Sequence, residues 1–247
     1  MEHHISIAAE TLFHLGPIAV TNALVTAVIV TILLSIFAFL AHRAFQSEKP
    51  TMFTTFVEQV IAFFYDLTES IAGKNAPVFF PLIMTFFLFI IIANWFGLLP
   101  GIAGFGVEVI ENGEHAVVPL FRAATTDLNT TIALALISVG VTQYYGFKFL
   151  GVKKHLSKYF NADGMNSFVG ILEFVGVFSG ILSFAFRLFG NIFAGEVLLV
   201  VMGSLIPLVL PIPFLGLELF VGFIQATVFA VLTLVFMSIA VESHEHA

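Results

Sequence analysis

The sequence predicts an all-α polytopic membrane protein with about five membrane-crossing helices, one amphipathic surface helix and a long, tilted hairpin formed by the last two helices. Two observations carry this prediction: 59% of the 247 residues are hydrophobic, and only 10% are charged. A soluble domain carries about 25% charged residues, because its surface must be hydrated. A transmembrane β-barrel would alternate apolar and polar residues, whereas this chain contains long, uninterrupted apolar runs.

Three apolar stretches predict the first three crossings, each of which needs about 20 helical residues. Residues 18–41 contain no charged side chain. Residues 79–99 end just before a Pro-Gly pair, which is typical of a helix stop. Residues 126–147 are opened by Thr125-Thr126-Asp127, whose side-chain oxygens can accept hydrogen bonds from the first free amides of a helix.

Two further stretches, 167–205 and 214–241, predict the helical hairpin, with a proline-rich turn between them. Residues 168–205 would span about 57 Å if wholly helical at about 1.5 Å per residue, against a hydrocarbon core of about 30 Å. A steep tilt would absorb the excess length. Residues 1–247 are therefore predicted to form a single membrane domain.

Residues 51–72 predict an amphipathic helix rather than a crossing. Apolar residues recur at three- and four-residue steps, and most polar side chains, such as Glu58 and Asp66, fall on the other side. An acidic polar face suits neither anionic lipid nor nucleic acid, so we expect this helix to pack along the membrane surface against its own or another subunit.

The basic residues predict the orientation of the chain, because short cytoplasmic loops hold the excess of Lys and Arg. Seven of the nine positive charges fall in the two connections that flank the second and third crossings: Arg43, Lys49, Lys74, Lys148, Lys153, Lys154 and Lys158. The opposite side has only Arg122, in an acidic loop. We therefore expect the N-terminus outside and the C-terminus in the cytoplasm, with the first helix retained because no basic signal-peptide region precedes it.

Arg187 is the strongest functional candidate. A charge at bilayer depth costs about 2.5–3.5 kcal/mol on insertion scales, and an arginine cannot lose its proton to escape that cost. Small and polar residues recur on the same helical face and would let a partner helix approach closely. They are Gly176, Gly180, Ser183, Asn191 and Gly195. The alternative is a plain packing motif in which Arg187 forms a static pair with Glu196 or Glu218.

The predicted topology orders the other intramembrane polar residues by depth. Glu173 comes early in a helix that starts in the cytoplasm, and Glu196 lies towards its outer end. Glu218 is near the outer start of the returning helix, and Gln225 lies deeper. An inner carboxylate, an outer carboxylate pair and a fixed cation between them would suit a proton path in two halves, because the cation repels a proton at the midplane.

The segment from Arg187 to Glu196, Arg-Leu-Phe-Gly-Asn-Ile-Phe-Ala-Gly-Glu, resembles the signature of subunit a, the membrane stator of F-type ATP synthases. Residues 94–101, 126–129 and 225–226 resemble other parts of that family, and the resemblance covers about residues 21–242. It implies that Arg187 faces a rotating ring of c subunits whose acidic side chains carry protons. By the same resemblance, Glu196 and Glu218 match outer half-channel positions, Glu173 an inner one, and Asn191 and Gln225 polar neighbours of the arginine.

The resemblance also implies the setting of the protein. The chain would be a non-catalytic subunit in a bacterial inner membrane, with no cofactor and no metal. Its partners would be the c-ring, peripheral-stalk b-type subunits, the rest of the synthase and the lipid bilayer. The net charge of −7 argues against nucleic acid as a partner.

One departure from the family concerns Glu196 and Glu218. Many members place a histidine at one of these positions, whereas two carboxyl groups here could share a proton. Sodium-driven relatives also exist, and the ion-binding carboxylate would lie on the c subunit, so both ions stay open. Two other functions stay open as well: a self-contained transporter whose Arg187 binds an anionic substrate, and a non-transporting scaffold.

Overall fold

The computed structural model describes residues 9–16, 18–46, 51–99, 106–111, 114–159, 164–206 and 209–242. The elements follow in the order β1 (Thr11–Leu15), β2 (Ile18–Thr21), α1 (Asn22–Phe45), α2 (Met52–Ala72), α3 (Ala76–Gly97), β3 (Gly106–Glu111), β4 (Glu114–Pro119), α4 (Leu128–Leu150), α5 (Val152–Tyr159), α6 (Gly164–Leu205) and α7 (Pro211–Val241).

Within the described ranges, five helical segments are long and apolar enough to cross a membrane, which confirms the predicted fold class. They are Asn22–Phe45, Met52–Gly97, Leu128–Leu150, Gly170–Leu205 and Pro211–Val241. The second segment joins α2 and α3, between which the chain turns at Gly73. Gly73 has φ +52°, a left-handed conformation that glycine adopts without a steric penalty.

Two antiparallel β-hairpins, β1–β2 and β3–β4, accompany the helices and were not predicted. The first changes the start of the first predicted crossing, since Ile18–Thr21 pairs as a strand with Thr11–Leu15 instead of forming helix. The helix begins at Asn22, where the Thr21 hydroxyl accepts a hydrogen bond from the amide of Leu24 at 3.2 Å. Strand pairing therefore occupies the residues just before this N-cap.

The helix α2 has one buried side, which packs against α3. Phe64 lies in contact with Phe87, with 4.1 Å between ring centroids, and Val57 is also buried. Phe53 and Phe56, on the predicted apolar face, are exposed. The described residues therefore cover only part of the apolar face of α2.

The core lies where α3, α4, α6 and α7 meet. Aromatic rings link three of these helices edge to face: Phe229 of α7 lies 5.3 Å from Phe86 of α3 and 5.0 Å from Phe184 of α6, measured between centroids. Such pairs are each worth about 0.5–1.5 kcal/mol beyond their buried area. The hydroxyl groups of Ser138 on α4 and Thr233 on α7 share a hydrogen bond at 2.8 Å. These contacts fix α6 and α7 relative to each other.

Polar side chains at the end of α3 set the register of α7. Asn94 donates to the carbonyl of Gly222 at 3.1 Å and accepts from the hydroxyl of Thr125. Trp95 donates from Nε1 to the carbonyl of Leu219 at 3.0 Å. The helix turn that carries Glu218 is therefore anchored to a neighbouring helix.

Candidate functional site

Arg187 lies on the exposed side of α6. Its Nη2 donates to the hydroxyl of Ser183, one turn earlier, at 3.4 Å. On the other side of the helix, Phe184 and Leu188 are buried in the core. Because α6 packs through that apolar side, the guanidinium points away from the part of the chain that the structure describes.

The predicted stripe of small and polar residues around Arg187 is only partly exposed. Gly176, Ser183 and Asn191 are exposed, and Gly180 is half-buried. Gly195 is buried and therefore does not belong to the exposed face. The prediction for Gly195 is corrected, because the helical period alone could not show that α7 packs on that part of α6.

Asn191 and Gln225 connect the two helices of the hairpin next to Arg187. Nδ2 of Asn191 donates to Oε1 of Gln225 at 2.8 Å. Gln225 is buried on α7, whereas Asn191 lies on the exposed side of α6. The two residues that we expected to be polar neighbours of the arginine are thus bonded to each other.

Glu218 is buried between α6 and α7, with 6% of its surface exposed. Its carboxyl group packs directly on the backbone of Gly195, so closely that a β-carbon there would overlap it. Within the described residues its Oε1 has no hydrogen-bond partner. A buried carboxylate oxygen needs hydrogen bonds from protein or water, so this group is suited to contact with water or a mobile proton.

Glu196 forms an ion pair that the sequence did not predict. Nε of Arg122 lies 3.2 Å from Oε2 of Glu196, and the guanidinium also lies over the ring of Phe193 at 5.8 Å. We expected Arg122 in an outer loop, and in the structure it is buried, with 8% of its surface exposed. Among the described residues, the alternative in which Arg187 pairs with Glu196 is not formed.

The carboxyl group of Glu218 packs on Gly195, which directly precedes Glu196 on α6. Arg122 supplies a positive charge to this acidic cluster from the segment before α4. The sequence offers one signal that could have indicated a role for Arg122: it is a lone basic residue five positions before Asp127. Asp127 is the N-cap of α4, and its carboxylate accepts a hydrogen bond from the amide of Asn129 at 3.1 Å. The acidic cluster lies about 13 Å along α6 from Arg187, at about 1.5 Å per residue.

A cavity of about 340 Å³ lies on the other side of Arg187, among α4, α5, α6 and α7. Along α6 its lining extends from Glu173 to Phe184, a length of about 16 Å at 1.5 Å per residue. It thus ends one helical turn before Arg187. The polar side chains of its lining are Ser138, Thr142, Gln143, His155, Tyr159 and Glu173.

A family model described as ATP synthase A chain matches residues 23–238. The matched segment contains Arg187 and every carboxylate of the two polar regions. The chain belongs to the ATP synthase A chain family. It is the ion-translocating, non-catalytic stator subunit of ATP synthase, as the sequence resemblance implied. Membership of this family excludes the two alternative functions, a self-contained transporter and a non-transporting scaffold.

In this ATP synthase A chain, the polar lining of the cavity depends on the short helix α5, which was not predicted from the sequence. His155 is buried, and its Nε2 lies 2.7 Å from Oε1 of Gln143. The hydroxyl of Tyr159 donates to the same oxygen at 3.1 Å. Burial raises the pKa of Tyr159, and the negative charge of Glu173 raises it further.

Proposed function

We propose that this stator subunit moves protons through two offset half-channels, which feed and drain the carboxylates of a rotating c-ring as they pass Arg187. The observation that carries the proposal is the place of Arg187. It is exposed on α6, with a cavity on one side along the helix and the cluster of Glu196, Glu218 and Arg122 on the other. A path in two halves needs this offset, since a continuous one would let protons leak.

The exposed side of α6 is suited to a c-ring. Next to the Arg187 stripe, an apolar face is more than half exposed: Val175, Phe178, Leu182 and Phe186. A small-residue stripe lets a partner helix approach closely, and the guanidinium stabilises an ionised ring carboxylate. The ring carboxylate would therefore release its proton before it passes the stator.

The outer half-channel would use the acidic cluster. A proton that enters from outside would reach Glu196 and Glu218 and then continue past Asn191 and Gln225 to the ring. Within the described part of the chain, Oε1 of Glu218 has no hydrogen-bond partner. This supports its role as a proton-carrying group, because a fully satisfied structural carboxylate would have both oxygens bonded.

The inner half-channel would use the cavity that ends one turn before Arg187. Glu173 is exposed and lines this cavity, which makes it a suitable last carboxylate before the aqueous phase. A volume of about 340 Å³ has room for on the order of ten water molecules. Water in a polar-lined cavity can carry protons between the ring and Glu173.

The setting that we propose is a bacterial plasma membrane, with the N-terminus outside and the C-terminus in the cytoplasm. The Lys-rich connections support this orientation. It places the cavity on the cytoplasmic side and the acidic cluster on the outer side. Each proton that crosses is then driven by about 2.3 kcal/mol per 100 mV. Besides the c-ring, b-type subunits of the peripheral stalk would bind this chain.

The decisive variant is Arg187→Ala, measured in inverted membrane vesicles. We expect ATP-driven proton pumping to be abolished while the detached catalytic head still hydrolyses ATP, because only the stator loses its cation. Arg43→Ala, at the exposed end of α1, is the matched control and should pump normally. Coupled pumping by Arg187→Ala would overturn the proposed function.

A further inference from the structure

We propose that α5 is an interfacial helix that binds anionic phospholipids at the membrane surface where α4 ends. This inference goes beyond proton transfer and does not depend on the two half-channels. The phosphate groups of acidic lipids would meet the basic side of α5, and the upper part of their acyl chains would meet its uncovered apolar residues. The helix would then lie between protein on one side and lipid on the other.

The apolar side of α5 is only half covered by the described residues. Val152, His155, Leu156 and Tyr159 recur at three- and four-residue steps and therefore share one side of the helix. His155 is buried and Tyr159 is half-buried, whereas Val152 is 65% and Leu156 42% exposed. A helix of eight residues is unstable by itself in water, so the uncovered half needs a partner as well.

The contacts of α5 place it at the end of a membrane-crossing helix. Gly151 joins α4 to α5 with φ +80°, a conformation that glycine adopts without a steric penalty. The ring of His155 then lies 4.5 Å from that of Phe147 in the last turns of α4, and the ring of Tyr159 lies 6.4 Å from that of Phe174 on α6, measured between centroids. The helix α5 is therefore packed against the two crossings, at the level where α4 leaves the hydrocarbon.

The charge of α5 fits an anionic membrane surface. Its other four positions hold three lysines and a serine, and the helix contains no acidic residue. Lys153, which follows Val152, is exposed, and so is Lys148 at the end of α4. A basic polar side next to exposed apolar residues is typical of a helix that lies in the interface, and each lysine near an anionic surface strengthens the attraction. The exposed side of α2 carries Glu58 and Glu69 instead, so it does not fit the same lipids.

The test is the position of a spin label attached to Leu156→Cys in the assembled complex, reconstituted into vesicles. The chain has no cysteine of its own, so the unsubstituted complex supplies the blank. The vesicles contain phosphatidylcholine alone or mixed with phosphatidylglycerol, and the label is probed with oxygen, which dissolves among acyl chains, and with a water-soluble nickel chelate. We expect phosphatidylglycerol to move the label into the acyl layer. A label on Ser157→Cys, on the polar side of α5, should stay accessible to nickel in both kinds of vesicle.

A charge variant shows whether the lysines recognise the lipid. Lys153→Gln, combined with the labelled Leu156→Cys, should lower the ratio of label in the acyl layer to label in water by about fivefold, the effect of one lysine near an anionic surface. Lys74→Gln makes the same change at an exposed position between α2 and α3 and should leave the ratio unchanged.

Two results would overturn the lipid contact. One is a label whose position is the same in both kinds of vesicle. The other is a label shielded from oxygen and nickel alike, which would show that another protein covers Leu156. The measurement involves no proton movement, so either result leaves the proposed function intact.

Discussion

The carboxyl group of Glu218 on α7 lies directly against the backbone of Gly195 on α6. Gly195 is one residue before Glu196, so this contact brings the second carboxylate next to the first. No side chain can occupy position 195 without displacing the carboxyl group. The acidic cluster of the proposed outer half-channel therefore depends on a residue that has no functional group of its own.

Gly195→Ala should impair proton pumping, because the added methyl group overlaps the Glu218 carboxyl. The overlapping atoms are the free end of a flexible side chain, so the methyl group moves the carboxyl group rather than the backbone. ATP-driven pumping in inverted vesicles measures the loss. Gly216→Ala on α7, where a β-carbon meets open space, should pump normally. The double variant Gly195→Ala/Glu218→Asp shortens the acidic side chain and should recover part of the activity; normal pumping by Gly195→Ala alone would contradict the packing argument.

Glu218→Gln should slow ATP-driven pumping by about 100-fold or more, because an amide fills the same space but cannot carry a proton. The measurement is the rate of acidification of inverted vesicles per assembled complex. Glu58→Gln, at an exposed position of α2, makes the same chemical change outside the site and should have no effect. Equal pumping rates in the two variants would show that Glu218 does not carry protons in the outer half-channel.

Arg122→Met should destabilise the protein, because it leaves the Glu196 carboxylate without its cation. The coupling energy between contacting residues is about 0.5–3 kcal/mol, and the partly exposed Glu196 side chain (39%) favours the lower part of that range. A double-mutant cycle with Glu196→Gln, followed by thermal unfolding in detergent, measures it. We expect Glu196→Gln to offset part of the loss; additive effects would show that the ion pair contributes nothing.

Arg187→Lys should not support coupled pumping. Lysine has a flexible point charge in place of the planar guanidinium and can lose its proton when desolvated. Growth on a non-fermentable carbon source and ATP-driven pumping both report the outcome. Arg43→Lys is the matched control at an exposed position. Normal growth of the Arg187→Lys strain would show that coupled pumping needs only a positive charge at this position and not the planar guanidinium.

Several features of the site could be predicted from residues close together in the sequence. Arg187 stands out because it interrupts an apolar run, and its period with Ser183 and Asn191 places them on one side of a helix. Both residues do lie on the exposed side with Arg187. The segment Thr125-Thr126-Asp127 was likewise predicted to supply N-cap oxygens from the local sequence alone, and in the structure Asp127 is the N-cap of α4.

Other features required contacts between residues far apart in the chain. Arg122 and Glu196 are 74 residues apart, and a sequence-based topology could only place the arginine in a loop. The pairing of β1 with β2 also lies outside what hydropathy predicts, since the same apolar residues extend the first predicted crossing. The sequence did not predict the buried position of His155, because its hydrogen-bond partner Gln143 is 12 residues away in the chain.

The sequence by itself determined the membrane class, the number of crossings and the residue at the centre of the proposed mechanism. These follow from the cost of charge in hydrocarbon, which acts on each residue separately. Only the tertiary structure decided which polar groups meet: Glu218 with Gly195, Glu196 with Arg122, and His155 with Gln143. Such contacts depend on the register between helices, which is set by how side chains from distant segments pack together, and hydropathy along one helix carries no information about it.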